Sequence, residues 1–200
     1  MNTNLIITNG RLVDGTTDKH LDIGIADGRV IELAEPGELT IQGQQIDADG
    51  AYVMPGLVDI QVHFRTPGGE ESEDIQSGAQ GAALGGVTAC VMMPNTVPTI
   101  DNVTMVEAVE ALSLSAPCDL RSSAAITINR EGERLVNFKE LYEAGVRVFT
   151  DDGWVVDSEE LMRQAFIGIR DLPDAVLSQH AEESEMVEGG VINEGVVSRR

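Results

Sequence analysis

From Pro55-Gly56 onward the chain alternates short apolar runs with segments of helical character, and no other feature limits its fold as much. Runs at 57–64, 87–93, 124–128, 146–150 and 175–179 have the length and apolar content of strands. The stretches between them, 73–84, 104–114, 135–143 and 158–169, read as helices, with Asp157 or Ser158 placed to cap the last. Strands that alternate with helices belong to a parallel α/β unit, because a parallel neighbour needs a crossover long enough to hold a helix. About five such βα units fit into 54–200, whereas a closed barrel takes about 250 residues. The expectation is an incomplete (β/α)8 TIM-type barrel.

The first fifty residues follow a different rule. Leu5-Ile6-Ile7, Leu21 to Ile25 and Val30 to Leu33 are short apolar or alternating runs. Asn9-Gly10, Asp14-Gly15, Asp27-Gly28 and Asp49-Gly50 are turn dipeptides, several of the hairpin kind. They predict a small β-sandwich-like module over 1–53, followed by the α/β domain over 54–200.

In parallel α/β barrels the chemistry gathers at the C-terminal strand ends. Strand periodicity puts Gln61, His63 and Arg65 on one face at the end of the first barrel strand. Asn95 follows the second strand, Asp151 and Asp152 the fourth, and His180 the fifth. Two imidazoles and a carboxylate converging from three strand ends would suit a zinc ion and leave a position open for water. Each residue also has a plainer reading. Asp151-Asp152-Gly153 is the composition of a turn, Pro94-Asn95-Thr96 that of a loop, and Arg65 could pair with Glu70, Glu71 or Glu73 on the surface. His20 falls in the turn-rich first module and reads as solvated, while Glu182 is close enough to His180 to support it.

The charge balance excludes other classes of function. A net charge of −21 repels the phosphates of nucleic acids and anionic membranes. Lys19 and Lys139 are the only lysines, a bias found in salt-adapted proteins and also in ordinary acidic ones. No apolar run approaches the roughly 20 residues that span a bilayer, and the start lacks the basic and apolar regions of a signal peptide. Cys90 and Cys118 form no C-x-x-C pair and read as reduced thiols of a cytoplasmic protein.

Several strings carry a family resemblance: Pro55-Gly56-Leu57-Val58-Asp59, His63-Phe64-Arg65-x-Pro67-Gly68, Glu73-Asp74-Ile75-x-Ser77-Gly78, Gly85-Gly86-Val87-Thr88 and Met93-Pro94-Asn95-Thr96-x-Pro98. With Phe149-Thr150-Asp151-Asp152-Gly153, His180-Ala181-Glu182 and Glu188-Gly189-Gly190, the sequence resembles the dihydroorotases of the amidohydrolase superfamily along essentially its whole length. Hydantoinases and allantoinases share the barrel, but the Arg65-x-Pro67-Gly68 and Pro94-Asn95-Thr96 strings fit dihydroorotase better.

The resemblance implies a zinc-dependent hydrolase, with one or two ions, that interconverts N-carbamoyl-L-aspartate and dihydroorotate in pyrimidine synthesis. It assigns His63, Asp152 and His180 to the metal. It assigns His63, Arg65 and Asn95 to the substrate, Arg65 and Asn95 holding the α-carboxylate. The family's catalytic aspartate and a further histidine ligand are expected on strands beyond residue 200. Two positions depart from the pattern: Gln61 replaces the first histidine of His-x-His and would be a weaker, neutral ligand, and Ser72 replaces a basic residue. An inactive dihydroorotase-like subunit associated with aspartate transcarbamoylase is therefore the competing expectation, alongside a homo-oligomeric enzyme.

Overall fold

The computed structural model describes residues 4–40, 43–187, 190, 192 and 194–199. The Glu188-Gly189 part of the family string lies outside them. Two compact units form, Met1–Gly56 and Leu57–Arg200, dividing past the 53/54 boundary drawn from sequence.

The first unit contains β1 (Leu5–Val13), β2 (Asp18–Ala26), β3 (Arg29–Ala34), β4 (Gln44–Asp47) and β5 (Tyr52–Val53). They make one five-stranded sheet ordered β3-β2-β1-β4, with β5 also on β1. The described residues thus hold a single sheet, not the two layers of a sandwich. Long β1 takes β2 on one side, antiparallel, and β4 and β5 in parallel on the other. Asp27-Gly28 closes the β2–β3 hairpin with both residues at positive φ, 50° and 70°, the conformation a two-residue turn of this hand requires. Asn9-Gly10 does not turn the chain. It sits inside β1, where Asn9 has φ 56° and the register with β2 slips between Ile7 and Gly10. A turn dipeptide has become a β-bulge. His20 is exposed on β2.

The second unit is mixed α/β. Its elements run β6 (Leu57–Val62), α1 (Ile75–Leu84), β7 (Val87–Met92), α2 (Val103–Ser113), β8 (Asp119–Ser122), α3 (Phe138–Glu143), β9 (Val148–Phe149), α4 (Glu159–Ile169), β10 (Val176–Leu177) and α5 (Ser184–Val187). Strands β6, β7 and β8 pair in parallel, as do β9 and β10. Ala124, just past β8, bridges in parallel to Phe149 and links the two sets in chain order. Helix starts are set by side chains that accept otherwise unpaired N–H groups: Asp74 at α1, Asn102 at α2, Asn137 at α3 and Ser158 at α4. One apolar core joins strands and helices, with Phe149 fully buried and meeting Phe138 edge-to-face at 5.1 Å.

Two strand expectations fail for local reasons. The first barrel strand ends at Val62 rather than 64, because its partner β7 ends at Met92 and the last bond runs from Met93 N to the Val62 carbonyl. The third strand is Asp119–Ser122, not 124–128. Beyond Ala124 the N–H groups of Ile126 and Thr127 bond the buried carboxylate of Asp151 instead of a neighbouring strand.

Candidate active site

The ends of β6, β7, β9 and β10 supply side chains to one region, and some of those side chains are placed by irregular backbone. In β6 the Asp59 carboxylate accepts the Gln61 N–H at 3.0 Å, and the register with β7 shifts between Asp59 and Val62. Gln61 then reaches across to Asp152, its Nε2 donating to Oδ1 at 2.9 Å. The other oxygen of Asp152 accepts from Asn95 Nδ2 at 3.1 Å and lies 3.6 Å from His63 Nε2. His63 Nδ1 stands 3.0 Å from Asn95 Oδ1, which closes a network of four side chains.

Gln61, Asp152 and His180 line a cavity of about 460 Å³ with Met93, Thr150 and Gln179. The candidates do not all converge, however. His180 Nε2 pairs with Glu182 Oε2 at 3.3 Å, and both side chains are about half exposed. Arg65 stands outside the network of Gln61, His63, Asn95 and Asp152. It lies past the end of β6 with φ 49°, is exposed, and forms no ion pair among the described residues. Glu70, one of its possible surface partners, accepts instead from Gly68 N. The period-two rule that grouped 61, 63 and 65 requires extended backbone, and here the chain has left the strand.

The loops carrying Arg65 and Asn95 are locked together. Val97 N donates to the Pro67 carbonyl at 3.0 Å, and Gly68, with φ 92°, packs so closely that a Cβ there would lie 2.2 Å from the Val97 carbonyl oxygen.

The turn after β9 is held more tightly. Asp151 is 1% exposed and accepts from Ile126 N at 2.8 Å, from Thr127 N at 3.0 Å and from the Thr127 hydroxyl. Burial pushes its carboxyl above the ordinary carboxylate range, opposed by those three donors and by Arg130. Asp152 N donates to Thr150 Oγ1, and Arg130 Nη1 donates to the Asp152 carbonyl at 2.8 Å. Sequence reasoning singled out neither Thr127 nor Arg130. The one signal was Asn129-Arg130-Glu131-Gly132, a turn-like string directly after the strand expected over 124–128.

The atoms present allow a test for a metal. Asn95 Oδ1 can only accept, so His63 donates through Nδ1 and turns its other ring nitrogen toward the Asp152 carboxylate. An imidazole lone pair facing a carboxylate at 3.6 Å is favourable when a cation or proton lies between them, so these two ligands fit a metal in kind. They are two of the four that tetrahedral zinc takes, and no group of three His, Cys, Asp or Glu side chains is gathered among the described residues. Gln61 meets the carboxylate through its N–H, as a donor rather than a ligand.

Comparison with known proteins gives a consistent picture. The model of the dihydro-orotase-like family matches residues 50–200. A dihydroorotase of Pelobacter propionicus is 41% identical over 198 residues, 98% of this chain and 46% of the relative. One of Streptococcus pneumoniae is 41% identical over 182 residues, 90% of this chain and 42% of the relative. The chain thus spans about half the length of the curated relatives it matches. Among solved structures, L-hydantoinase from Arthrobacter aurescens superposes with a TM-score of 0.79 at 21% identity, over 94% of this chain and 43% of that one. A D-hydantoinase gives 0.74 at 24% identity, over 94% and 42%. At those identities the likeness is one of fold.

Proposed function

The chain belongs to the dihydro-orotase-like family, and from that premise we propose that it carries dihydroorotase chemistry, the reversible closure of N-carbamoyl-L-aspartate to dihydroorotate in pyrimidine synthesis. The observation that carries the reading is the hydrogen-bonded meeting of His63, Asn95 and Asp152 at three strand ends of one parallel unit. Residues 54–200 then correspond to part of a (β/α)8 barrel, with 1–53 as the small β module.

Arg65 and Asn95 bind the substrate's α-carboxylate, the guanidinium offering a two-pronged contact. The lock between their loops sets the spacing of the two donors. Asn95 also touches His63 and Asp152, so a carboxylate held on its amide lies beside the reacting end of the site. His63, Asp152 and His180 would hold the metal, one zinc ion or two, which when bound would supply Lewis acidity for the amide carbonyl and for water. His180 reaches that set by leaving Glu182, and its half-exposed position permits the turn. A cytoplasmic enzyme that forms homo-oligomers completes the reading, and no helix among the described residues is long and apolar enough to cross a membrane.

A second reading has its own observation. Gln61 occupies Asp152 Oδ1 with a neutral N–H, which competes with a metal for that oxygen and favours an inactive subunit associated with aspartate transcarbamoylase. Gln61→His separates the two. In the intact protein, zinc-dependent turnover of dihydroorotate, with zinc bound about tenfold or more tightly in the variant, supports the enzyme. Normal folding with neither zinc uptake nor turnover in either form identifies the inactive subunit. Hydrolysis of hydantoin but not dihydroorotate assigns the site to the hydantoinase branch.

A further inference from the structure

We propose that Arg130 is a positioning residue for Asp152, acting through the main-chain carbonyl of Asp152 rather than through its charge. The inference rests on the reading of Asp152 as a site carboxylate.

Arg130 Nη1 donates to the Asp152 carbonyl at 2.8 Å, and the other side of that residue is tied by Asp152 N to Thr150 Oγ1 at 3.1 Å. With both backbone polar groups fixed, the carboxylate is left as the free arm, and it points to Gln61 and Asn95. If the guanidinium served only to balance charge, it would fork onto a carboxylate, the geometry it fits best. Arg130 forms no ion pair among the described residues, although Asp151 and Asp152 lie near enough to act on it. Its side-chain hydrogen bond goes to a neutral carbonyl, and its Nε is buried without a partner. A buried, unpaired donor is a cost that native structures keep for a reason.

The backbone that delivers Arg130 is also unusual. Asn129 and Arg130 are consecutive non-glycine residues at positive φ, 54° and 59°. Asn129 N bonds Asp101 Oδ2, Arg130 N bonds the Thr127 carbonyl, and Gly132 N bonds Thr127 Oγ1. Asp151 in turn grips Ile126 and Thr127. The two loops therefore hold each other reciprocally: the Asp151 side chain fixes the loop at 126–132, and the Arg130 side chain reaches back to fix the next residue, Asp152. Left-handed non-glycine backbone held by surrounding bonds is a feature that clusters at functional sites.

The test compares Arg130→Met, which keeps the reach and packing of the side chain but loses the donor, with Arg130→Lys, which keeps a donor. In the intact protein we expect Arg130→Met to lower kcat for dihydroorotate about tenfold to a hundredfold, with KM within about twofold and partial recovery in Arg130→Lys. Amide exchange at 151–153, followed by mass spectrometry, should quicken by about tenfold in Arg130→Met and stay unchanged over β6 to β8. Unchanged exchange at 151–153 overturns the proposal. So does a loss that appears only in KM, or one that tracks global unfolding and is not relieved by lysine. If the unaltered protein turns over no dihydroorotate, the functional reading fails, while the exchange measurement still decides the role of Arg130.

Discussion

After β9 the chain turns through Thr150 to Gly153 with its polar groups bound from several sides, and after β10 it runs through Ser178 to Glu182 with few such bonds. Both turns supply side chains to the same cavity. In the first, Asp151 is buried under three donors and Asp152 is fixed at N and O. In the second, Ser178 N bonds the Phe149 carbonyl and Gln179 Nε2 bonds the Val156 carbonyl, but His180 faces Glu182 in solvent. The β9 turn fixes a carboxylate, and the β10 turn presents an imidazole that can be re-aimed. On the proposed reading, a site built this way would assemble around Asp152, with His180 coming to it, because moving the β9 turn would strand buried donors whereas turning His180 gives up one exposed pair.

The hardest way to break this contrast is at Asp151. Asp151→Ala leaves the N–H groups of Ile126 and Thr127 and the Thr127 hydroxyl without their acceptor. Each orphaned group costs about 1–3 kcal/mol, so for the three together urea unfolding should report a loss of at least about 3 kcal/mol. Asp151→Asn keeps an acceptor for the two backbone donors and should cost far less. It also isolates the charge. Burial raises the folded-state pKa of Asp151 above its unfolded value, so the native protein binds the extra proton in that interval. Stability from this group is then greatest below about pH 4 and declines as pH climbs through the raised value. Unfolding curves taken over that range should move in favour of Asp151→Asn as pH rises, then run parallel to those of the unaltered protein. A gap that stays constant with pH would contradict the assignment.

The turns after β6 and β7 fall between these extremes, and Gly68 measures where. Gly68→Ala adds a methyl 2.2 Å from the Val97 carbonyl oxygen and forces alanine to φ 92°. The cost should be about 1–3 kcal/mol in stability. In the intact protein KM for dihydroorotate should rise more than kcat falls, since the lock spaces Arg65 from Asn95. A variant with unchanged KM would show that the two loops are not jointly responsible for the substrate.

The contrast also explains what the sequence made legible. Strands β7, β9 and β10 and helices α1, α2 and α4 follow from regular apolar runs and capping residues, because period and caps are local properties. Asp152 and His180 could be placed at strand ends for the same reason. The route from Ala124 to Arg130 could not be read: Ala124, Ala125 and Ile126 look like a strand, yet their fate depends on a carboxylate about 25 residues later. Arg65 was misplaced because its positive φ is set by the loop it starts, and periodicity carries no information past the last ladder bond. Asn9-Gly10 shows the same limit in the first unit, where a turn dipeptide served a bulge once β2, β4 and β5 had all paired with β1. For Ala124 to Arg130 and for Asn9-Gly10, what escaped the sequence was a long-range hydrogen bond or pairing that overrode a local preference.

The smallest expected effect tests the soft side of the comparison. Glu182→Gln removes the carboxylate opposite His180 but leaves the Glu182 N–H on the His180 carbonyl, a bond of 2.8 Å that shapes the local backbone. With both side chains about half exposed, the pair is screened by solvent and salt, and its loss should cost less than about 1 kcal/mol in urea unfolding. Because no buried donor is orphaned, the difference between variant and parent should shrink further as salt is raised. A cost comparable to that of Asp151→Ala would mean that the His180 turn is held as firmly as the Asp152 turn. His180 could not then leave Glu182 cheaply, and the order of assembly inferred from the two turns would have to be reversed.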